Sequence, residues 1–260
     1  MGYRTRGGRR RPRMKTLLDI LERVRREDRE DLLSVRPPGE DRFRALSARH
    51  FLEQIERCAR AFAALDVGRG DRVGLICQNR PEWHVVDFAC HRLGAIPVPL
   101  FPTLTDPEVE FCFGDSGCKL VVVDTPEQLD KVLAVLGQLG DLRAVLVIEP
   151  PALPVGTVNG VPVRPLVDAM AGAGAAELSG PEGPDALATL IYTSGTTGKP
   201  KGVMLTHWNL ASNIDQTMAT FTNEPGEMTV AFLPFFHIYG LECLANIVLA
   251  AGGGLVTMPR

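Results

Sequence analysis

Between two apolar runs, residues 187–192 and 203–206, the chain reads Thr193-Ser194-Gly195-Thr196-Thr197-Gly198-Lys199-Pro200-Lys201-Gly202. Such a density of hydroxyls, glycines and lysines is costly to bury as core, and is explained if the stretch grips an anion. Glycines at 195, 198 and 202 permit positive φ and let backbone N–H groups approach phosphate oxygens with no Cβ in the way. Thr193, Ser194, Thr196 and Thr197 add neutral donors or an oxygen ligand for a metal. Lys201, behind the rigid Pro200, adds a cation for charge-assisted bonds to a polyphosphate. The stretch is not a Walker-type loop, which needs a glycine where Thr193 stands and a Ser or Thr where Pro200 follows Lys199. Nor is Gly172-Ala173-Gly174-Ala175-Ala176-Glu177 a dinucleotide fingerprint, since it lacks the third glycine and a preceding strand. A second candidate is His237, in Leu233-Pro234-Phe235-Phe236-His237-Ile238-Tyr239-Gly240. A histidine among aromatics is either a satisfied core residue or a site group, and Phe235, Phe236 and Tyr239 either wall a pocket or pack in the core.

Alternating strands and helices must position these residues. Residues 16–31 and 51–65 carry apolar stripes at helical spacing. Residues 72–77 read as a strand, and Asn79-Arg80-Pro81-Glu82 after it reads as an N-cap with an acid three residues on. The helix that follows buries Trp83, Val86, Ala89, Cys90 and Leu93 and ends at Gly94. Strands are expected at 96–100, 119–124 and 143–148. Capping boxes at Thr105-Asp106-Pro107-Glu108 and Thr125-Pro126-Glu127-Gln128 open the intervening helices, the first ending near Gly117. Strands apolar throughout, joined by helical crossovers, imply a largely parallel sheet with helices on both faces, an α/β fold. Residues 149–185 are rich in Pro, Gly and Ala and predict an irregular surface connection, with 163–170 as a short element. Beyond the candidate loop, His207 is expected to be structural, capping the next helix. Residues 241–250 form another helix, turned by Gly252-Gly253-Gly254 into a strand at Leu255.

The 260 residues, 45% hydrophobic with a net charge of -3, suffice for a sizeable core in one or two domains. Arg4, Arg6, Arg9, Arg10, Arg11 and Arg13 lie in an acid-free stretch; without those six positive charges the remainder falls from -3 to -9. An acidic body argues against nucleic acid as a partner. Residues 1–13 are expected to be a basic disordered tail, with translation from Met14 or a targeting peptide as the other readings. Residues 14–260 form the globular part. No apolar run reaches the roughly 20 residues of a membrane-spanning helix, while peripheral membrane contact stays open. Six scattered cysteines with no paired spacing fit reduced thiols in the cytoplasm. Cys77, His84, Cys90 and His91 match no familiar zinc spacing.

The string from Tyr192 to Gly202 resembles the signature of the adenylate-forming, or AMP-binding, superfamily of acyl-CoA synthetases, coumarate-CoA ligases, luciferases and peptide-synthetase adenylation domains. Asn79 to Trp83, Gly94-Ala95-Ile96-Pro97-Val98-Pro99 with Pro102-Thr103-Leu104-Thr105, Leu205-Thr206-His207 with Asn209, and the His237 segment agree. The likeness covers about residues 70–260. It implies the acyl-CoA synthetase and luciferase-like fold, truncated to part of its N-terminal large domain. It also implies a two-step reaction, in which a carboxylate, a fatty acid in the leading reading, attacks the α-phosphate of ATP to give an acyl-adenylate. Coenzyme A, as substrate, then displaces AMP. By motif position, Thr193, Ser194, Gly195, Thr196, Thr197, Gly198 and Lys201 hold the phosphates, Thr193 meets Mg²⁺, and Lys201 and His237 serve catalysis, the latter in the acyl pocket. Coumarate-type and peptide-synthetase ligases are the neighbouring readings, and a truncated nucleotide-binding fragment without activity is the reading from another class.

The family's downstream motifs are missing from these residues: a Tyr-Gly-x-Thr-Glu segment, a ribose-binding aspartate, a hinge, and a lysine on a small C-terminal domain. The expectation is therefore a partial N-terminal adenylation domain without its C-terminal domain, ending in mid-sheet with an exposed apolar edge. The purified 260-residue chain is predicted to form little or no acyl-CoA from carboxylic acid, ATP and CoA; a turnover well above background in a thioester assay contradicts this.

Overall fold

The computed structural model describes residues 13–37, 40–149, 156–194, 199–220 and 226–258, with the backbone of 3–4 and 10–11. Of the arginine-rich tail, Tyr3–Arg4 (β1) and Arg10–Arg11 (β2) are described as a short antiparallel pair. The amphipathic helix α1 (Leu18–Glu27) leads to Leu33–Val35 (β3), Arg44–Leu46 (β4) and α2 (Ala48–Ala64).

Strands and helices then alternate as the sequence predicts. They are β5 (Arg72–Ile76), α3 (Pro81–Leu93), β6 (Ile96–Leu100), α4 (Asp106–Ser116), β7 (Cys118–Val123), α5 (Pro126–Ala134) and β8 (Ala144–Val147). The capping box at Thr105 and Glu108 is present, Thr125 caps α5, and Gly94 and Gly117 end their helices in the left-handed region. Each crossover returns the chain to a parallel neighbour, so successive side chains of one strand enter opposite cores. Val73, Leu75, Leu120, Val122, Ala144 and Leu146 join the core under α2 and α3. Ile76, Val121, Val123, Val145 and Val147 join the core under α4 and α5.

Residues 149–185 are more regular than the composition suggests. Thr157–Val158 (β9) turns at Asn159 and Gly160, both at positive φ, into Val161–Pro165 (β10). Asn-Gly is the strongest short signal for such a hairpin. β10 pairs parallel with β8 and extends the sheet to six strands in the order β6-β5-β7-β8-β10-β9. α6 (Leu166–Gly172) packs back toward α2.

Leu187–Thr193 (β11) and Lys201–Thr206 (β12) form a separate antiparallel pair, followed by α7 (His207–Thr220) and Met228–Ala231 (β13). The expected helix at 241–250 begins as a π-helix, Gly240–Asn246, continues as α8 (Ile247–Ala251), and turns at Gly252 into Gly254–Thr257 (β14). β14 is an internal strand, between β13 and β3, in a second sheet of order β13-β14-β3-β4. Within the strands of this sheet, the exposed large apolar side chains are Met228 and Val230 of β13, with Phe232 just past it, and none is on β14. Among the described residues, no helix is long and apolar enough to cross a membrane.

Within β5, the α-carbon of Gly74 faces the ring of Phe113, and any Cβ there would overlap that ring. Gly74→Ala forces α4 away from the sheet and is expected to cost about 1–3 kcal/mol in urea denaturation. An unchanged midpoint shows that α4 is not seated as described.

Candidate functional site

The loop singled out in the sequence hangs from the edge strand of the six-stranded sheet. Ile96 N–H donates to Asp71 O, so alternation turns the even positions of β6 toward β5 and positions 97 and 99 outward. Both outward positions are proline, which has no N–H to give a further strand. β11 lies beside this edge without a regular ladder, tied by the hydroxyl of buried Thr189 donating to Pro97 O at 3.1 Å. The hairpin is anchored a second time where the Tyr192 hydroxyl donates to Asp115 Oδ2 at 2.6 Å. Burial and this carboxylate push the phenol above its ordinary pKa. Opposite Tyr192 stands Gly202, where a Cβ would press on the tyrosine ring at 3.3 Å.

Thr193 and Lys201 are directly paired across the mouth of the hairpin, so their side chains leave the same face. Lys201 and Gly202, expected within the loop, are thus the first residues of β12. Thr193, Ser194 and Lys201 are exposed, and Lys201 meets no carboxylate among the described residues. Lys199 lies over the ring of Phe111 at 5.8 Å from its centroid. Gly195, Thr196, Thr197 and Gly198 lie outside the described residues.

The His237 segment is held from below. Asn79, only 7% exposed, donates to Ala231 O at 3.1 Å and Leu233 O at 2.7 Å and accepts the Phe235 N–H at 2.9 Å. It is not the N-cap that the sequence suggests. That position falls to Arg80, which makes no side-chain cap and instead pairs with Glu82 and Glu149. Phe235 is core, its ring 5.7 Å from Trp83 and 4.2 Å from His84. Phe236 and His237 turn the other way, with ring centroids 4.9 and 6.2 Å from Phe101. His237 is exposed, its N–H donating to Pro234 O and its Nδ1 accepting the Tyr239 N–H at 3.2 Å. Tyr239 is exposed, not a packed wall.

No hydrogen bond or ring contact joins the hairpin to His237 among the described residues. They share β6 instead: β11 hangs on its edge, and Phe101, just past its end, meets Phe236 and His237. Phe101, Phe111 and Asn79 are the contributors missed in the sequence. The prolines at 97 and 99 were the signal for an outward edge there, and the buried polar Asn79 was masked by its resemblance to a helix cap.

His207 also has another role than the one expected. Thr206 and Asn209 cap α7, with Thr206 N–H donating to Asn209 Oδ1 at 2.9 Å and Asn209 N–H to Thr206 Oγ1 at 3.2 Å. The imidazole of His207 is fully buried and accepts the Leu17 N–H at 3.3 Å, capping α1. Burial, then neighbouring His91, lowers its pKa to about 3; burial lowers that of His84 to about 4. On the π-helix, Glu242 accepts from Asn246 at 2.9 Å, and burial raises its pKa to about 8.

Comparison with known proteins gives the same outline. The family model described as "AMP-binding enzyme" matches residues 22–260. The peroxisomal long chain acyl-CoA synthetase 7 of Arabidopsis thaliana is 35% identical over 73% of this chain and 27% of its own length. Feruloyl-CoA synthase of an Amycolatopsis species is 32% identical over 82% of this chain and 38% of its own. The structure of ATP-bound MatB from Rhodopseudomonas palustris aligns at a TM-score of 0.74 and 28% identity, covering 93% of this chain and 45% of that one. The chain thus spans less than half the length of these proteins.

The buried groups set opposite pH limbs. Glu242 is raised above its ordinary 4.5, so its contribution is complete below that value and is lost as pH rises through about 8. His84 and His207 are lowered from 6.5, so their contributions are present above that value and are lost as pH falls through about 4 and about 3. Glu242→Gln should therefore raise the denaturation midpoint relative to the parent at about pH 9 but not at about pH 5. Equal shifts at both would mean that Glu242 does not titrate in the fold.

Proposed function

Since the chain belongs to the AMP-binding enzyme family, we propose that it is the nucleotide-gripping part of a ligase that activates a carboxylic acid, in the leading reading a fatty acid, with ATP and CoA. The observation that carries this is the pairing of Thr193 and Lys201 on one face of the hairpin, both exposed and Lys201 without a carboxylate among the described residues. A hydroxyl and an unpaired cation at the mouth of a Gly-rich loop suit a polyphosphate, whose charge-assisted bonds are about twice as strong as neutral ones.

In this reading Lys201 binds the β and γ phosphates and disperses the charge that grows on the departing pyrophosphate as the carboxylate attacks the α-phosphate. Thr193 Oγ1 and Ser194 Oγ are the oxygens that this chain offers to Mg²⁺, which when bound supplies charge neutralisation. Phe101, Phe236 and His237 form the wall beside which the acid lies, with His237 offering its ring edge to the reacting carboxylate. The CoA thiol then displaces AMP from the acyl-adenylate. The similarity to a long chain acyl-CoA synthetase supports a fatty acid, and that to feruloyl-CoA synthase keeps an aryl acid as the second reading. The free cysteines suit a reducing, cytoplasmic location.

Titration calorimetry with Lys201→Ala tests the grip. Loss of one charge-assisted contact is worth about 1.5–3 kcal/mol, so MgATP binding should weaken roughly 10- to 100-fold. AMP, which lacks the β and γ phosphates, should weaken by less than about 3-fold, or roughly 0.7 kcal/mol. Equal losses for both nucleotides would remove Lys201 from the triphosphate. Binding of a saturated long-chain acid in the presence of ATP, set against ferulate, separates the two acids.

A further inference from the structure

Ala231, the last residue of β13, pairs with Thr257 at the end of β14, and residues 233 and 235 continue beyond it at two-residue spacing. The carboxamide of Asn79, at the carboxyl end of β5, meets all three: its two N–H bonds go to Ala231 O and Leu233 O and its oxygen takes the Phe235 N–H. A side-chain amide has the donors and acceptor of a peptide unit, so Asn79 serves these main-chain groups as another backbone segment would. It thereby joins the six-stranded sheet to the segment leaving the four-stranded one.

From this geometry we infer that Asn79 is a positioning residue for the acid-binding wall, acting through the Leu233–Phe235 backbone on Phe236 and His237. The inference rests on the reading of that wall given above. Its consequence is directional. With Phe235 locked between Asn79 and the Trp83 and His84 rings, the next two residues can only project toward Phe101. The turn beyond is equally constrained, because the α-carbon of Gly240 rests on the Pro234 carbonyl with no room for a Cβ. Asn79 is distant in role from the phosphate hairpin, whose anchors are Thr189 and Tyr192. Loosening Asn79 should therefore disturb the acid and not the nucleotide.

Asn79→Asp keeps the shape and the acceptor for Phe235 N–H but sets an oxygen against the carbonyls of residues 231 and 233. In the full 260-residue chain, the nuclear Overhauser contact between the Phe101 and His237 rings, 6.2 Å apart, is expected to disappear. The contact between Phe51 and Phe88, also 6.2 Å apart but elsewhere in the core, should persist. Binding of a non-hydrolysable dodecanoyl-adenylate analogue should fall at least 10-fold while MgATP binding stays within about 2-fold, or roughly 0.4 kcal/mol. If Asn79→Asp does not fold, Asn79→Ser, which retains a single donor, replaces it in the same measurements. A folded variant that keeps the Phe101–His237 contact overturns the inference, and so does an equal loss of both ligands. If the parent chain ignores the dodecanoyl probe, the proposed function fails on that result, while the two ring contacts still decide the role of Asn79.

Discussion

The arrangement depends on the outer edge of β6, where alternate main-chain positions are prolines and offer no N–H. A sheet edge with intact donors would take β11 into a regular ladder and draw its connection down onto the sheet. Here β11 is attached through one hydroxyl and one phenol, and it completes its own ladder with β12 instead. The hairpin stands off the edge, with its mouth formed by Thr193 and Lys201 and its two flanking strands held in register by Tyr192 packing beside Gly202. The described ends of the loop are thus held in register, and the sequence between them is rich in glycine and hydroxyls.

Behind this edge, the molecule tolerates an unusual amount of buried polarity. His84, Asp87 and His91 lie at helical spacing along α3 and are fully or almost fully buried, facing a core that also holds His207, Glu242 and Asn246. Such groups cost stability unless they are satisfied, and they do so in exchange for uniqueness of packing in some proteins. Their partners here are informative: His207 fixes the start of α1, and Glu242 with Asn246 lies on the π-helix that follows the His237 segment. π-Helical turns concentrate at functional sites, and this one begins at the glycine that abuts Pro234. The polar core and Asn79 thus reach the same short segment from two sides.

Much of this was legible in the sequence because local and global signals agree along residues 72–147. Each strand is apolar on both faces, α4 and α5 open on capping threonines, and glycine closes α3 and α4. The loop stood out on composition alone, since a core has little use for the hydroxyls, glycines and lysines of Thr193 to Gly202. What was missed has a common cause, namely partners that are remote in sequence. β3 and β4 are three residues each and gain their sheet only from β14, more than two hundred residues on. Asn79 sits where an N-cap would, and only Ala231, Leu233 and Phe235 reveal its use. His207 similarly opens one helix but caps another. The Asn159-Gly160 hairpin was the exception, a local signal obscured by the prolines at 162 and 165, which stand at the ends of the pairings that β10 makes with β9 and β8.

The central claim is that the connection between Thr193 and Lys201 closes on the tail of a nucleoside triphosphate. Hydrogen–deuterium exchange, read peptide by peptide on the chain with MgATP, with Mg²⁺ and AMP, and without nucleotide, addresses it most directly. The account predicts slowed exchange across residues 194–200 with MgATP and little or none there with AMP. Exchange in that segment that ignores MgATP, while peptides elsewhere respond, would contradict it.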